Sequence, residues 1–596
     1  MKKRYVAISL TLGSLALAGG AQADTWDVTQ KVTVGANTTV TQGDGNTSAT
    51  QAMNAIDVET LNGTSQAVEM GTFTLTLTQT GASTATSNQA ANYVQADTIS
   101  KAFSQDVNSA AAASAIALTQ SAVGTANIQA LNMADGGTVG STGIFSQEVT
   151  PTGAAGDITL TQTTTMGADS VQAANYINGT TITSAIQTVD NDNTGNGDIA
   201  LVQPIGTGSI TQAVNYATAE TITSLAQNIK TVDLVLGQAG GTSNVQVGNY
   251  AQATTVVDTL LSQKTDASGM IDMDQITAGS GNLQAVNAAD VKSVTGAVTQ
   301  AATTGATNIN LNQNNQTNSQ QFVNYLTSTG TVASVTQDYL NSGKTATLVQ
   351  DMATASQQAL NAIEMTGGAD VLTKGTQTVT LATLSLSQGE TADNTGSSQA
   401  ANLLLSGNDI AEASQTVTAD IDVTQELGTG NLQAVNLAAG IDITTSLTQT
   451  INGTSDTFEQ GGTGAATNTQ AGNYLDVGAT GTVKSVVQDY SATASVLMDQ
   501  DDITSGVQGL NVIDASASGV TVTSADQNVT VPSLTMHQGR DVGTTTSVQA
   551  GNAVITDAVA TGGAVNQDVS VTTLAMTQAN GNKSIQAANY VGSMPN

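Results

Sequence analysis

A four-residue box, Gln-x-x-Asn, recurs fifteen times along this chain, and its regularity restricts the available folds more than any other feature. The glutamines are Gln51, Gln89, Gln129, Gln172, Gln212, Gln246, Gln284, Gln321, Gln358, Gln399, Gln433, Gln470, Gln508, Gln549 and Gln586. The asparagines three residues later are Asn54, Asn92, Asn132, Asn175, Asn215, Asn249, Asn287, Asn324, Asn361, Asn402, Asn436, Asn473, Asn511, Asn552 and Asn589. The first and last boxes are 535 residues apart over fourteen steps, a mean period of 38.2, with single steps of 34 to 43. No second domain is visible in the 596 residues.

Two further glutamines accompany each box. One lies 8–11 residues upstream and follows a large apolar residue by two, as in Leu77-x-Gln79, Leu160-x-Gln162 and Met576-x-Gln578. The other lies 15–19 residues downstream, as in Phe103-x-Gln105-x-Val107 and Leu225-x-Gln227-x-Ile229. Period-2 spacing puts glutamine and apolar residues on one face of a strand. The box also alternates, with Val171, Ala173, Asn175 and Ile177 on one side and Gln172, Ala174 and Tyr176 on the other. Both faces are half apolar, which fits a strand packed on two sides or one bent at asparagine; the pattern does not choose. Between strands lies turn chemistry, clearest in Asp190–Gly197. Thr, Val, Ile and Gly dominate, and no sustained 3.6-residue period follows the N-terminus.

One such unit cannot bury its own apolar face, but a copy stacked on it supplies strand partners about 4.8 Å away. Buried glutamine needs a hydrogen-bond partner, and an equivalent amide one coil away provides it. The expected fold is therefore all-β: a β-solenoid, parallel β-helix-like, of about fifteen repeats of about 38 residues, with roughly three short strands per coil and stacked Gln/Asn ladders. The array is placed at 38–596, after a lead-in at 24–37. At one strand spacing per coil it makes a rod of about 70 Å, and its end coils offer open strand edges that recruit another chain.

The N-terminus reads as a targeting signal. Lys2, Lys3 and Arg4 precede an apolar run from Tyr5 to Ala18 and then Ala21-Gln22-Ala23, so residues 1–23 are expected to be cleaved after Ala23. No later stretch is apolar enough to span a membrane, and the mature chain is expected outside the cell or on its surface. It would keep ten cations against 46 acids, a net charge of −36. That balance argues against nucleic acid and anionic membrane surfaces. With no cysteine, disulfides and thiolate metal sites are excluded.

No catalytic, metal or cofactor site is expected. His537 and Arg540 are isolated. Asp190-x-Asp192-x-Thr194-Gly195 resembles a calcium loop, but Leu201 stands where the closing Glu belongs, so a solvated turn is the better reading. Tyr93, Tyr176, Tyr216, Tyr250, Tyr325, Tyr474 and Tyr590 recur four residues after the box Gln, which predicts a stacked tyrosine ladder; a carbohydrate-binding stripe is the alternative. The run Thr72-x-Thr74-x-Thr76-x-Thr78 has the look of an ice-binding rank but is read as not recurring in register.

The segment Gly428-Thr429-Gly430-Asn431-Leu432-Gln433-Ala434-Val435-Asn436-Leu437-Ala438-Ala439-Gly440 resembles the repeat core of bacterial functional-amyloid fibre subunits of the Fap type, and Gln320-Gln321-Phe322-Val323-Asn324 is similar to their Gln-Gln-x-Asn doublet. The apolar-x-Gln strands followed by Gly/Asn turns also resemble the curlin repeat. The resemblance implies a secreted fibre subunit of biofilm matrix, exported through a dedicated outer-membrane pore. The leading expectation is a non-enzymatic structural protein whose partner is itself, end to end, in cell-surface adhesion. A monomeric adhesin or surface stalk binding glycans is the alternative. A solenoid polysaccharide lyase ranks below both, because its acids would need cations gathered in one groove and here they are scattered from Lys31 to Lys583.

Overall fold

The computed structural model describes residues 25–595, except 44–48, 72–73, 81–86, 101, 110–114, 122–124, 152–156, 164–167, 192–196, 204–208, 306–307, 368–370, 540–543 and 557–562. The leader expected at 1–23 lies outside the described residues. Among those described there is no helix, and every strand pairing is parallel. The β-solenoid expected from the repeat is the observed fold.

One coil shows the plan. The box strand Val171–Ile182 is followed by a downstream strand, Ala185–Asp190, and then by the upstream strand Ile199–Gln203 that leads to the next box. Each lies in register between its counterparts one coil away: Gln172 between Gln129 and Gln212, Gln187 between Gln147 and Gln227. The chain thus winds through three parallel sheets, and fourteen successive pairings connect fifteen rungs in the box sheet. Thr25–Val34, inside the segment read as a lead-in, pairs with 60–70 and supplies the first downstream-type rung.

Strand alternation determines what faces inward. In the upstream sheet Leu75, Leu77, Leu160 and Leu201 are fully buried, and residues between them, such as Thr76, are only half-buried. The box strand resolves the ambiguity of its sequence. Ala174 joins the central core with Leu160 and Val189, whereas Ile177 joins a second core with Ile182 and Ala185. Ala173 and Tyr176 lie in a third cluster on the outer face. Gln172, Ala174, Asn175 and Ile177 all turn inward, so alternation breaks between Ala174 and Asn175. The strand is both bent there and packed on two sides.

A left-handed corner precedes the box. The residue three before the box Gln has φ between 47° and 67° in twelve coils, including Ala126, Ala355, Gly430, Ser505 and Lys583. The next residue is often a buried Asn or Ser whose side chain accepts the N–H of the equivalent residue one coil earlier: Asn244 N–H donates to Asn282 Oδ1 at 3.0 Å, and Asn431 N–H to Asn468 Oδ1 at 3.0 Å. A Cβ at Gly430 would meet nothing closer than 3.9 Å, so only backbone strain opposes a side chain there. Gly430→Ala should lower the local opening free energy by up to about 1 kcal/mol, the strain of about 1–2 kcal/mol being partly offset by the freedom glycine loses on folding. Ala355→Gly should raise it by a similar amount. Amide hydrogen exchange in the flanking coils measures both.

Candidate functional site: four amide ladders and two open ends

The thirty box residues form two continuous ladders. Gln172 Nε2 donates to Gln129 Oε1 at 2.8 Å and accepts, through its own Oε1, from Gln212 Nε2 at 2.8 Å. The series is unbroken from Gln89 on Gln51 to Gln586 on Gln549. Asn54 to Asn589 form the second, as in Asn175 Nδ2 to Asn215 Oδ1 at 2.8 Å. The downstream and upstream glutamines form two more, starting with Gln66 on Gln30 and Gln79 on Gln42. Inner-coil members such as Gln172, Asn175, Gln187 and Gln203 are fully buried.

The second N–H of the box and downstream amides, and of eight upstream glutamines, crosses the coil. Box glutamines donate to carbonyls of the upstream strand (Gln172 to Thr161 O, 3.1 Å), and upstream glutamines donate back (Gln79 to Ser87 O, 3.1 Å). Box asparagines donate to the downstream strand (Asn175 to Thr188 O, 3.1 Å), and downstream glutamines return the bond (Gln147 to Tyr176 O, 2.9 Å). Two polar walls therefore run the length of the rod, and the wall of asparagines and downstream glutamines separates the two apolar cores.

These cross-bonds dictate which side-chain atom is nitrogen, so each ladder has a direction. All three glutamine ladders donate toward the N-terminal end and the asparagine ladder toward the C-terminal end. A single reversal would face oxygen with oxygen, which keeps each ladder uniform.

Elsewhere the tyrosine ladder is partly realised. Tyr176 and Tyr216 stack at 5.2 Å and Tyr216 meets Tyr250 at 5.4 Å, while Met133, Ala288 and Val512 interrupt the row. These rings are less than 10% exposed; Tyr176 and Tyr216 lie face to face, and Tyr250 is tilted by 44° to Tyr216. Asp190 pairs with Lys230 at 3.9 Å; Asp192, Thr194, Gly195 and Arg540 lie outside the described residues, among which no acid or histidine cluster fit for a metal occurs. Threonines of the run recur in register between coils. Thr76 pairs in register with Thr39, and Thr78 with Thr41 and Thr119, because all occupy the outward positions of the upstream sheet.

The ends differ from the middle. Leu534, Met536 and Val554 are 0% exposed, yet their counterparts in the last coil, Leu574, Met576 and Val591, are 43%, 39% and 48% exposed. Among the described residues nothing stacks on that coil, and no amide donates to Gln586 Oε1. In comparison with known proteins, no family model, no curated protein and no solved structure matches the chain.

Replacing Gln284 by Leu leaves Gln246 Oε1 and Gln321 Nε2 each short of a ladder partner. At about 1–3 kcal/mol per unsatisfied group, it should destabilise the neighbouring coils by about 2–6 kcal/mol. Gln252→Leu, at a half-buried outer position, should change stability by less than about 0.5 kcal/mol. Urea unfolding of the two variants makes the comparison.

Acid should stabilise the rod. Asp456 is buried, and burial raises its pKa to about 6 against the opposing hydrogen bonds donated by Tyr490 and by Ile421 N–H. Burial also raises Asp106, Asp272, Asp274 and Asp422. A carboxyl with a raised folded-state pKa binds more protons folded than unfolded, so stability grows as pH falls from about 6 to about 4. Asp456 alone supplies on the order of 2–3 kcal/mol. The urea midpoint should be higher at pH 4.5 than at pH 7.5, and Asp456→Asn should reduce the difference. A midpoint that falls on acidification contradicts this assignment.

Proposed function

We propose that the chain is a secreted structural protein, the self-assembling subunit of an amyloid-like extracellular fibre that serves biofilm matrix and cell-surface adhesion. The observation carrying this reading is the last described coil, where positions closed in inner coils stand 39–48% exposed beside a sheet edge that no described residue pairs. Adding a coil from another molecule closes those side chains and pairs the edge, the reaction that each inner coil has already completed within the chain. The composition supports the same reading: amides and small residues build ladders, while histidine and cations are too few for a hydrolytic groove. The acidic surface keeps neighbouring rods apart without opposing growth along the axis. Export through an outer-membrane pore is the route that accompanies this role.

Purified protein lacking residues 1–23 should sediment as long fibres and give a meridional reflection near 4.8 Å. Raising salt should thicken the bundles, because the Debye length falls to about 3 Å at 1 M. Monomers that persist through long incubation, and that bind glycans, would replace this reading with the surface adhesin.

A further inference from the structure

Resting on the fibre reading, we propose that the joint between subunits is strictly head-to-tail: the last coil of one copy docks in register on the first coil of the next and continues all four amide ladders.

Ladder direction makes the two ends complementary. The C-terminal face presents the Oε1 atoms of Gln567, Gln578 and Gln586 as acceptors and Asn589 Nδ2 as a donor, because the glutamines spend their axial N–H on Gln527, Gln538 and Gln549 while Asn589 Oδ1 accepts from Asn552. The N-terminal face is the converse. Gln66, Gln79 and Gln89 occupy the Oε1 atoms of Gln30, Gln42 and Gln51, so these three face outward as donors; Gln30 and Gln51 each spend one N–H on a strand carbonyl and keep the other for the axis, Gln42 donates to Ala49 O and, at 3.4 Å, to Asn88 O, and Asn54 spends its axial N–H on Asn92 and leaves Oδ1 outward. Two C-terminal faces would oppose acceptor to acceptor in the three glutamine ladders, and two N-terminal faces would oppose donor to donor. They would also reverse the sense in which the chain circulates, so that the three sheets could not all overlie their counterparts.

Aligning Gln567 with Gln30, Gln578 with Gln42 and Gln586 with Gln51 defines the register. It lays exposed Leu574 on Thr38, Met576 on Val40 and Val591 on Ile56. It also sets Asp568 beside Lys31, the cation of the first coil, which pairs with Glu69 one coil inward. Lys31 would then stand between a carboxylate of its own chain and one of the neighbour, in a chain where acids outnumber cations 46 to 13. Both residues are exposed, on outward positions of the downstream sheet.

The chain has no native cysteine, so introduced thiols report the joint without background. In-register strands place the two Cα atoms about 4.8 Å apart, inside the range of about 4.4–6.8 Å that a disulfide spans. Fibres of the double variant Lys31→Cys/Asp568→Cys, mildly oxidised and then dissolved in denaturant, should run as a ladder of covalent multimers. Fibres of either single variant should yield less than a tenth as much cross-linked dimer. Circular dichroism matching the parent confirms that the outward substitutions leave the fold intact. Fibres in which a single variant cross-links as well as the double variant, or in which the double variant does not cross-link, overturn the head-to-tail joint and leave the fibre reading standing. A parent protein that forms no fibres overturns both.

Discussion

A primary amide removed from water must find partners for two N–H groups and a carbonyl, and in this protein that requirement organises everything else. At four positions in each coil one N–H runs along the axis and the oxygen accepts from the next amide in line; at the box and downstream positions, and at eight upstream glutamines, the second N–H crosses to a strand carbonyl. It works only if the neighbour is an identical side chain at strand spacing, which demands parallel strands in register. Leucine at the same positions would bury as readily, but it would accept a one-residue slip; an amide does not, because a slip strands it against an apolar side chain. The apolar cores supply bulk stabilisation, and the amide walls between them specify the register.

The stack was legible in the sequence because its defining residue is chemically conspicuous. Glutamine two residues from leucine, repeated every 38 residues, has few explanations other than a ladder, and Gln172, Gln187 and Gln203 lie where that reasoning places them. The orientation of the box strand was not legible, since alternation is informative only when one face is wet. Here Ala173 and Tyr176 are buried outside while Ala174 and Ile177 are buried inside, and the bend between Ala174 and Asn175 shifts the phase. The left-handed corner escaped notice for a different reason. Glycine occupies it at Gly281, Gly396 and Gly430, but Ala, Asp, Ser, Asn, Thr and Lys hold it elsewhere, so no residue type marks it. Its one clue was the Asn or Ser that follows, recognisable in hindsight as an acceptor for the turned N–H. The threonines of the upstream sheet stand one and three residues before the upstream glutamine, as Thr39 and Thr41 before Gln42 and Thr76 and Thr78 before Gln79, so their register is legible from that glutamine and not from the threonine run alone.

The direction of the ladders is a property of the stack that no single repeat possesses. An isolated glutamine can donate either way; fifteen in line choose one direction together, and the choice is held by cross-bonds to backbone carbonyls that cannot rotate. A rod assembled this way is polar from end to end. Departures from the repeat act as local markers on an otherwise uniform structure. Tyr339 and Tyr490 replace the usual valine of the downstream strand, and each then needs a buried partner for its hydroxyl, Thr304 in one coil and Asp456 in the other. Such pairs distinguish particular coils and oppose a shift by one whole repeat, which the ladders alone would tolerate.

Hydrogen exchange of side-chain amides tests the central claim most directly. With glutamine and asparagine side chains labelled with 15N, the ladder NH2 groups of inner coils should exchange as slowly as backbone amides in the same strands, on both protons of each group. Those of outer residues such as Gln95 and Gln252 should exchange rapidly. Uniformly fast exchange across all glutamines, or protection of the backbone without protection of Gln172, Gln212 and Gln246, would contradict the amide ladders as the interaction that holds the coils in register.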